Sequence, residues 1–158
     1  MEKTEFLKNT VLFSDLTTFE IIKVNKVTRT RTYHTDDVVF KEGTIGDSLY
    51  VVKSGSVRVT KTEDGGEEKV LAILNTGDHF GEIALVDKHP RSATVIANEN
   101  CELIQIHAED FNKLLDSDKE IALKFYRTFV KVLCSRLRDT NESLTFSLTM
   151  LESIEKGR

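Results

Sequence analysis

Between Arg31 and Ile106 the chain carries six short, largely aliphatic runs, "DVVF", "SLYVVKSG", "SVRVTKT", "KVLAIL", "SATVIA" and "CELIQI", set about ten residues apart by breaks rich in Gly, Asp and Asn. Runs this short bury nothing alone and must pair side by side. Several alternate with period two, as at Val57 and Val59, and the breaks "KEGTIGDS", "KSGS" and "NTGDHFG" supply the turns. Gly65-Gly66 at the centre of "KTEDGGEEK" fits a hairpin that needs positive φ. Six or more such strands predict an all-β sandwich or barrel, most simply a jelly roll.

The flanks follow a different period. Up to residue 30, Phe6, Leu7, Val11, Leu12, Phe13, Leu16, Phe19, Ile21, Ile22 and Val24 recur at helical spacing, with a break near Ser14 and Asp15. After the sheet zone of residues 31–107 the helical pattern returns over 108–156. Ser117 and Glu120 stand at capping-box spacing, and no breaker intervenes before Gly157. Phe125, Phe129, Val132 or Leu133, Leu137, Thr140, Leu144, Leu148 and Leu151 form a seam at steps of three and four. A helix from Lys119 to Lys156 is roughly 55 Å long, longer than the body it leaves, so its far half projects. Leu144, Phe146, Leu148, Met150, Leu151 and Ile154 would then face water, which predicts a homodimer through this helix.

Composition narrows the function. The 158 residues suit one domain, and a net charge of -4 argues against a nucleic-acid partner, whose phosphates demand clustered Lys and Arg. No window reaches the ~18 apolar residues of a membrane span. Cys101 and Cys134 sit far apart among apolar neighbours, as buried reduced thiols of a cytoplasmic protein would. His34, His79, His89 and His107 are scattered, with no His-x-His of a metal-bearing jelly roll and no nucleophile spacing, so neither metal nor catalysis is expected.

The chemistry concentrates in "FGEIALVDKHPRSATV", residues 80–95. Glu82 to Leu85 has the composition of one helical turn, and Gly81 and Ala84 are small enough for an anion to approach backbone N–H groups. Arg91 adds a forked, permanent cation and Ser92 a hydroxyl. Spacing alone allows two readings: a surface ion pair between Glu82 and Arg91, or a clamp in which Arg91 takes a phosphate and Glu82 a neighbouring sugar hydroxyl.

This stretch resembles the phosphate-binding cassette of cyclic-nucleotide-binding domains, the family of catabolite activator proteins and protein kinase A regulatory subunits. The resemblance extends through "VLFSDL", "FKEGTIGDSLYVVKSGSVRV" and "NTGDHFGE", from about Val11 to Asn141. It implies an eight-stranded antiparallel jelly-roll β-barrel with N-terminal helices and a long C-terminal helix, mainly β with flanking α. It implies a ligand, cAMP with cGMP as the alternative, held by Phe80, Gly81, Glu82, Ile83, Ala84, Leu85, Arg91, Ser92 and Ala93, with Glu82 on the ribose 2′-OH and Arg91 on the cyclic phosphate. Val70 and Leu71 are expected to line the pocket. Ser92 tilts the base toward adenine, and Thr140 and Asn141 stand where regulators of this kind contact it, with Arg136 one turn earlier as a partner for Glu82. The resemblance implies a regulatory module, not an enzyme, that repositions its C-terminal helices on binding. A dimerisation scaffold that has lost its ligand is the competing reading. The DNA-binding domain of the regulators it resembles has no counterpart before Arg158. Nothing in the residues specifies a downstream effector.

Overall fold

In a computed structural model, which describes residues 2–158, helices flank eight antiparallel strands. The chain opens with α1 (Lys3–Lys8), a 3-10 turn (Val11–Phe13) and α2 (Thr18–Lys26). The strands are β1 (Thr28–Tyr33), β2 (Val38–Phe40), β3 (Ser48–Ser54), β4 (Ser56–Thr62), β5 (Glu68–Asn75), β6 (His79–Phe80), β7 (Thr94–Ala97) and β8 (Cys101–His107). A second 3-10 turn, Glu82–Leu85, separates β6 from β7, and α3 (Ala108–Ser117) and α4 (Lys119–Lys156) close the chain.

The strands form two four-stranded sheets, β1-β8-β3-β6 and β2-β7-β4-β5. The expected β-roll is present, but the sheets do not close into a barrel. β1 and β6 bound one sheet, β2 and β5 the other. The first sheet is the middle layer of the molecule. Leu49 and Val51 of β3 and Ile104 and Ile106 of β8 pack with the helices, against Leu12, Phe13, Ile21, Phe111 and Phe125. The alternate residues Tyr50, Val52, Cys101 and Leu103 pack with Val57, Val95 and Ala97 of the second sheet. Covered on both faces, β3 and β8 read as nearly continuous apolar runs. At the other extreme, β1, "TRTRTY", is an exposed edge strand with no apolar alternation, and β6 is two residues long. Neither left a hydrophobic signature.

Asp118 caps α4, accepting from the Ile121 amide at 3.2 Å; Ser117 instead turns its hydroxyl onto the Leu114 carbonyl. The capping-box expectation is thus off by one residue, because Asp118 adopts the extended backbone of a cap while Ser117 still belongs to α3. Three contacts tie the near half of α4 to the N-terminal segment: Lys23 to Asp118 at 2.6 Å, Lys124 to Glu20 at 2.9 Å and Thr128 to Asp15 at 2.9 Å. Phe125 stacks among Phe13, Phe111 and Phe129, with ring centroids 4.9 to 6.0 Å away. At 38 residues α4 is about 57 Å long, and the hydrophobic side chains of its far half are exposed. Cys101 is buried as expected, but Cys134 is exposed, because it sits on α4 beyond the stretch that packs on the body. No helix is long and apolar enough to cross a membrane, and among the described residues no group of three His, Cys, Asp or Glu is placed to hold a metal ion.

Candidate functional site

The stretch of residues 80–95 frames a cavity of about 500 Å³, within the roughly 300–1,000 Å³ typical of small-molecule sites. Phe80, Gly81, Glu82, Ile83, Ala84, Arg91, Ser92 and Ala93 line it, and Arg136 reaches it from α4. Phe40, Val59, Leu74 and Val95 form an apolar wall contributed by four strands of the second sheet. Leu85 is elsewhere: it turns into the core beside Leu49 and Phe111. Val70 and Leu71 are more than half exposed on the edge strand β5 and do not line the cavity; its wall from β5 is Leu74. Thr140 and Asn141 are exposed on α4, outside the cavity of this single chain.

Arg91 does not pair with Glu82. Its Nη2 donates to the Ser48 carbonyl at 2.7 Å and Nη1 to the Gly81 carbonyl at 3.2 Å, while the guanidinium lies over the Phe40 ring at 4.0 Å. These contacts occupy two of its five N–H groups. Space for this seat exists because the chain has glycine at two points. A Cβ at Gly46 would fall 2.9 Å from the guanidinium carbon, and one at Gly81 2.8 Å from Nη1. Gly81 moreover has φ +75°, the left-handed region that starts the Glu82–Leu85 turn. Burial lowers the Arg91 pKa from its ordinary value, opposed by Tyr50 and Asp47, and the group remains a cation at neutral pH. Phe40 and the Ser48 carbonyl were missed from sequence. A backbone carbonyl has no residue signature, and Phe40 looked like any apolar strand residue.

Glu82 is 2% exposed, an unusual place for a carboxylate. Its Oε1 is held by Arg136 Nη1, from a residue 54 positions later on α4. Its Oε2 is buried without a hydrogen-bond partner. A buried orphan acceptor beside an open cavity fits a ligand that brings a hydroxyl donor. Arg136 is also engaged by His79, with Nη2 lying 3.2 Å from His79 Nε2 and 3.4 Å from the His79 carbonyl. Burial, reinforced by the Arg136 charge and opposed by Asp78, lowers the His79 pKa to about 4. The cavity thus presents a cation with free donors, an acceptor wanting a donor, and an apolar wall, the three surfaces of a phosphorylated nucleoside.

Comparison with known proteins agrees with this chemistry. A family profile described as "Cyclic nucleotide-binding domain" matches residues 30–118. A cyclic AMP receptor protein of Thermus thermophilus is 33% identical over 138 residues, covering 87% of this chain and 62% of its own length. A cGMP-dependent protein kinase of Drosophila melanogaster is 34% identical over 127 residues, 78% of this chain and 14% of its own length. Among solved structures, the Thermus thermophilus catabolite activator protein superposes with a TM-score of 0.77 at 32% identity, over 87% of this chain and 62% of that one. The chain therefore spans less than two thirds of the length of each of these three relatives.

Two expectations follow from the geometry. Arg136→Ala strands Glu82 in its buried seat and lowers stability in urea unfolding by about 1 to 3 kcal/mol; adding Glu82→Gln recovers part of the loss, because a neutral amide tolerates burial better. Unchanged stability of R136A would show that the pair contributes nothing. The second concerns pH. His79 stays neutral in the fold down to about pH 4, whereas an unfolded chain protonates it near its ordinary value of 6.5. Between those values the unfolded state binds more protons, so stability falls as pH drops from 6.5 toward 4, by up to roughly 3 kcal/mol. Urea midpoints measured across this range should lose that His79 contribution to their slope in His79→Gln.

Proposed function

Since the chain belongs to the cyclic nucleotide-binding domain family, we propose that it is a cytoplasmic, non-enzymatic receptor for a 3′,5′-cyclic nucleotide, cAMP in preference to cGMP, that signals through α4. The observation that carries this reading is the unpartnered Oε2 of Glu82 across the cavity mouth from the unsatisfied donors of Arg91. The ribose 2′-OH donates to Oε2 while Oε1 stays with Arg136, so the sugar completes the carboxylate without displacing its cation. Arg91 donates its remaining N–H groups to the exocyclic phosphate oxygens, supported by backbone amides of Ile83, Ala84 and Ser92. In this structure the Ala84 amide makes a long 3.3 Å bond to the Gly81 carbonyl, which a phosphate oxygen would replace. Phe40, Val59 and Leu74 receive the base. Ser92 stands at the cassette position where cGMP-preferring members often carry threonine and several bacterial cAMP regulators carry serine, and this favours adenine.

Coupling to α4 follows from the same contacts. The ligand meets Glu82, and Glu82 is held from α4, so a nucleotide binds best to the arrangement in which Arg136 stays on the carboxylate. Shifting such an equilibrium from 1:99 to 99:1 requires about 5.5 kcal/mol of differential affinity. An exposed row along α4 supplies the output surface. Leu123, Val130, Leu137, Leu144 and Leu151 fall at seven-residue steps on one face, each 50 to 62% exposed. Such a row is the seam of a left-handed coiled coil, and a second copy of the chain fits it, aligning the two α4 helices. Thr140, three residues after Leu137, lies next to that seam, and Asn141 follows it; pairing brings both toward the partner's site, as the resemblance implies for the base contacts.

Thermal unfolding tests the receptor reading. At 100 times Kd, cAMP stabilises by about 2.7 kcal/mol, which raises Tm by roughly 5 to 11 °C in a chain of this size. cGMP should need a higher concentration for the same shift. Arg91→Ala removes the shift and costs about 1 to 2 kcal/mol of ligand-free stability, since its carbonyl and Phe40 contacts go with it. No shift with either nucleotide at millimolar concentration would sink the receptor. For the seam, sedimentation equilibrium should find a dimer that Leu137→Glu with Leu144→Glu converts to a folded monomer; a wild-type monomer at high micromolar concentration overturns the pairing.

A further inference from the structure

We propose that His79 is a positioning residue of this site: its ring and its carbonyl together clamp the Arg136 guanidinium onto Glu82, and thereby set how firmly α4 is tied to the ligand cavity. The proposal rests on the receptor reading for its consequence on affinity, but the clamp itself is a property of the ligand-free chain.

The backbone of His79 is fixed first. It belongs to β6 and pairs with Val51 at the centre of β3, whose both faces are buried. Its ring is nine-tenths buried, against α4. A guanidinium has donors only, so the 3.2 Å approach of Arg136 Nη2 makes Nε2 the acceptor and places the ring proton on Nδ1. The His79 carbonyl accepts from the same Nη2 at 3.4 Å, and Nη1 is left to Glu82 Oε1. One planar fork is thus read by two residues of one short segment. The charged groups around the ring are Arg136 from α4, Asp78 from the preceding turn and, beyond the guanidinium, Glu82.

The surroundings explain why a clamp is needed. Arg136 is 45% exposed, and a long side chain so placed ordinarily samples many rotamers. On its other side lies a second cavity of about 400 Å³, between the first 3-10 turn and α4, bounded by Val11, Asp15, Lys131 and Ser135. His79 and Arg136 line both cavities. Without an acceptor at Nε2 the guanidinium has room to swing out of the ligand cavity, leaving Glu82 without its cation. Phenylalanine at position 79 would fill the same space without an acceptor. Glutamine would place an amide oxygen near the position of Nε2.

The test compares wild type, His79→Gln and His79→Phe as full chains, by hydrogen exchange over residues 130–140 without ligand and by calorimetric titration with cAMP. H79F should speed exchange around Arg136 several-fold and weaken cAMP about tenfold, the loss of one hydrogen bond to a charged group. H79Q should stay within about twofold of wild type in both, and H79F added to R136A should change nothing further, since the clamp acts only through Arg136. Wild-type exchange and affinity in H79F, an H79Q as impaired as H79F, or losses that add to those of R136A would each overturn the clamp. If wild type binds neither cAMP nor cGMP, the receptor reading falls, while the ligand-free exchange of H79F against H79Q still decides the clamp.

Discussion

A carboxylate buried to 2% exposure cannot stand alone, and the structure around the cavity is arranged to bring Glu82 a cation. Its one held oxygen requires a cation from α4, and this requirement dictates where α4 passes. Ion pairs and a hydroxyl contact to α2, its flanking residues and the first 3-10 turn bring the helix over the end of the first sheet with Arg136 in range. Its second oxygen is left for something the chain does not provide. Retaining a buried charge with one unsatisfied acceptor costs stability, and such a cost is characteristic of a site built for a ligand rather than of a packing solution.

Arg91 solves the opposite problem. For the proposed role in taking a phosphate, a cation has to be held without a carboxylate partner, since a paired arginine would compete with its own ligand. The structure seats it on two carbonyls and an aromatic face, groups that orient the guanidinium while leaving its charge uncompensated. The seat is generated by the middle sheet. Ser48 begins β3, and its hydroxyl is fixed in turn by Gln105 of β8 at 3.1 Å. Glycine at 46 and 81 keeps the approach open. Glu82 and Arg91 are therefore neighbours that deliberately do not meet, and the ion-pair reading that their spacing allowed is replaced by two separate anchors facing one cavity.

The helix α4 divides into a half that packs on the body and a half that is exposed. Ile121, Phe125 and Phe129 belong to the body, as the aromatic cluster with Phe13 and Phe111 shows. The row from Leu123 to Leu151 lies on another face and runs the length of the helix. The sequence seam threaded Phe125 and Leu144 together as one stripe; the structure splits it into a core stripe that ends near Val132 and a heptad row that continues beyond. Arg136 stands at the handover between them, on the packed side of the exposed half and in contact with the cavity.

The sequence by itself determined the properties that are local. Turn glycines and period-two runs gave the strands that carry an apolar pattern, the absence of breakers gave the span of α4, and the stretch from Phe80 to Val95 carried the family and most of the residues that line the cavity. What it did not determine depends on layers and distance. β1 and β6 have no hydrophobic signature because one is an exposed edge and the other two residues long. The openness of the sheets follows from pairing registers that no single run encodes. Val70 and Leu71 lie outside the pocket and Leu74 inside it because β5 is bulged: Ala72 pairs with Val59 and Val70 with Thr60, so Leu71 is an extra residue and Val70 turns to the face opposite Leu74, a shift that only the packed sheet reveals. The seat of Arg91 is made of carbonyls that every residue possesses, and the link from His79 through Arg136 to Glu82 joins residues more than 50 positions apart. Side-chain pattern specifies elements; only their stacking brings a buried charge to the cation it needs.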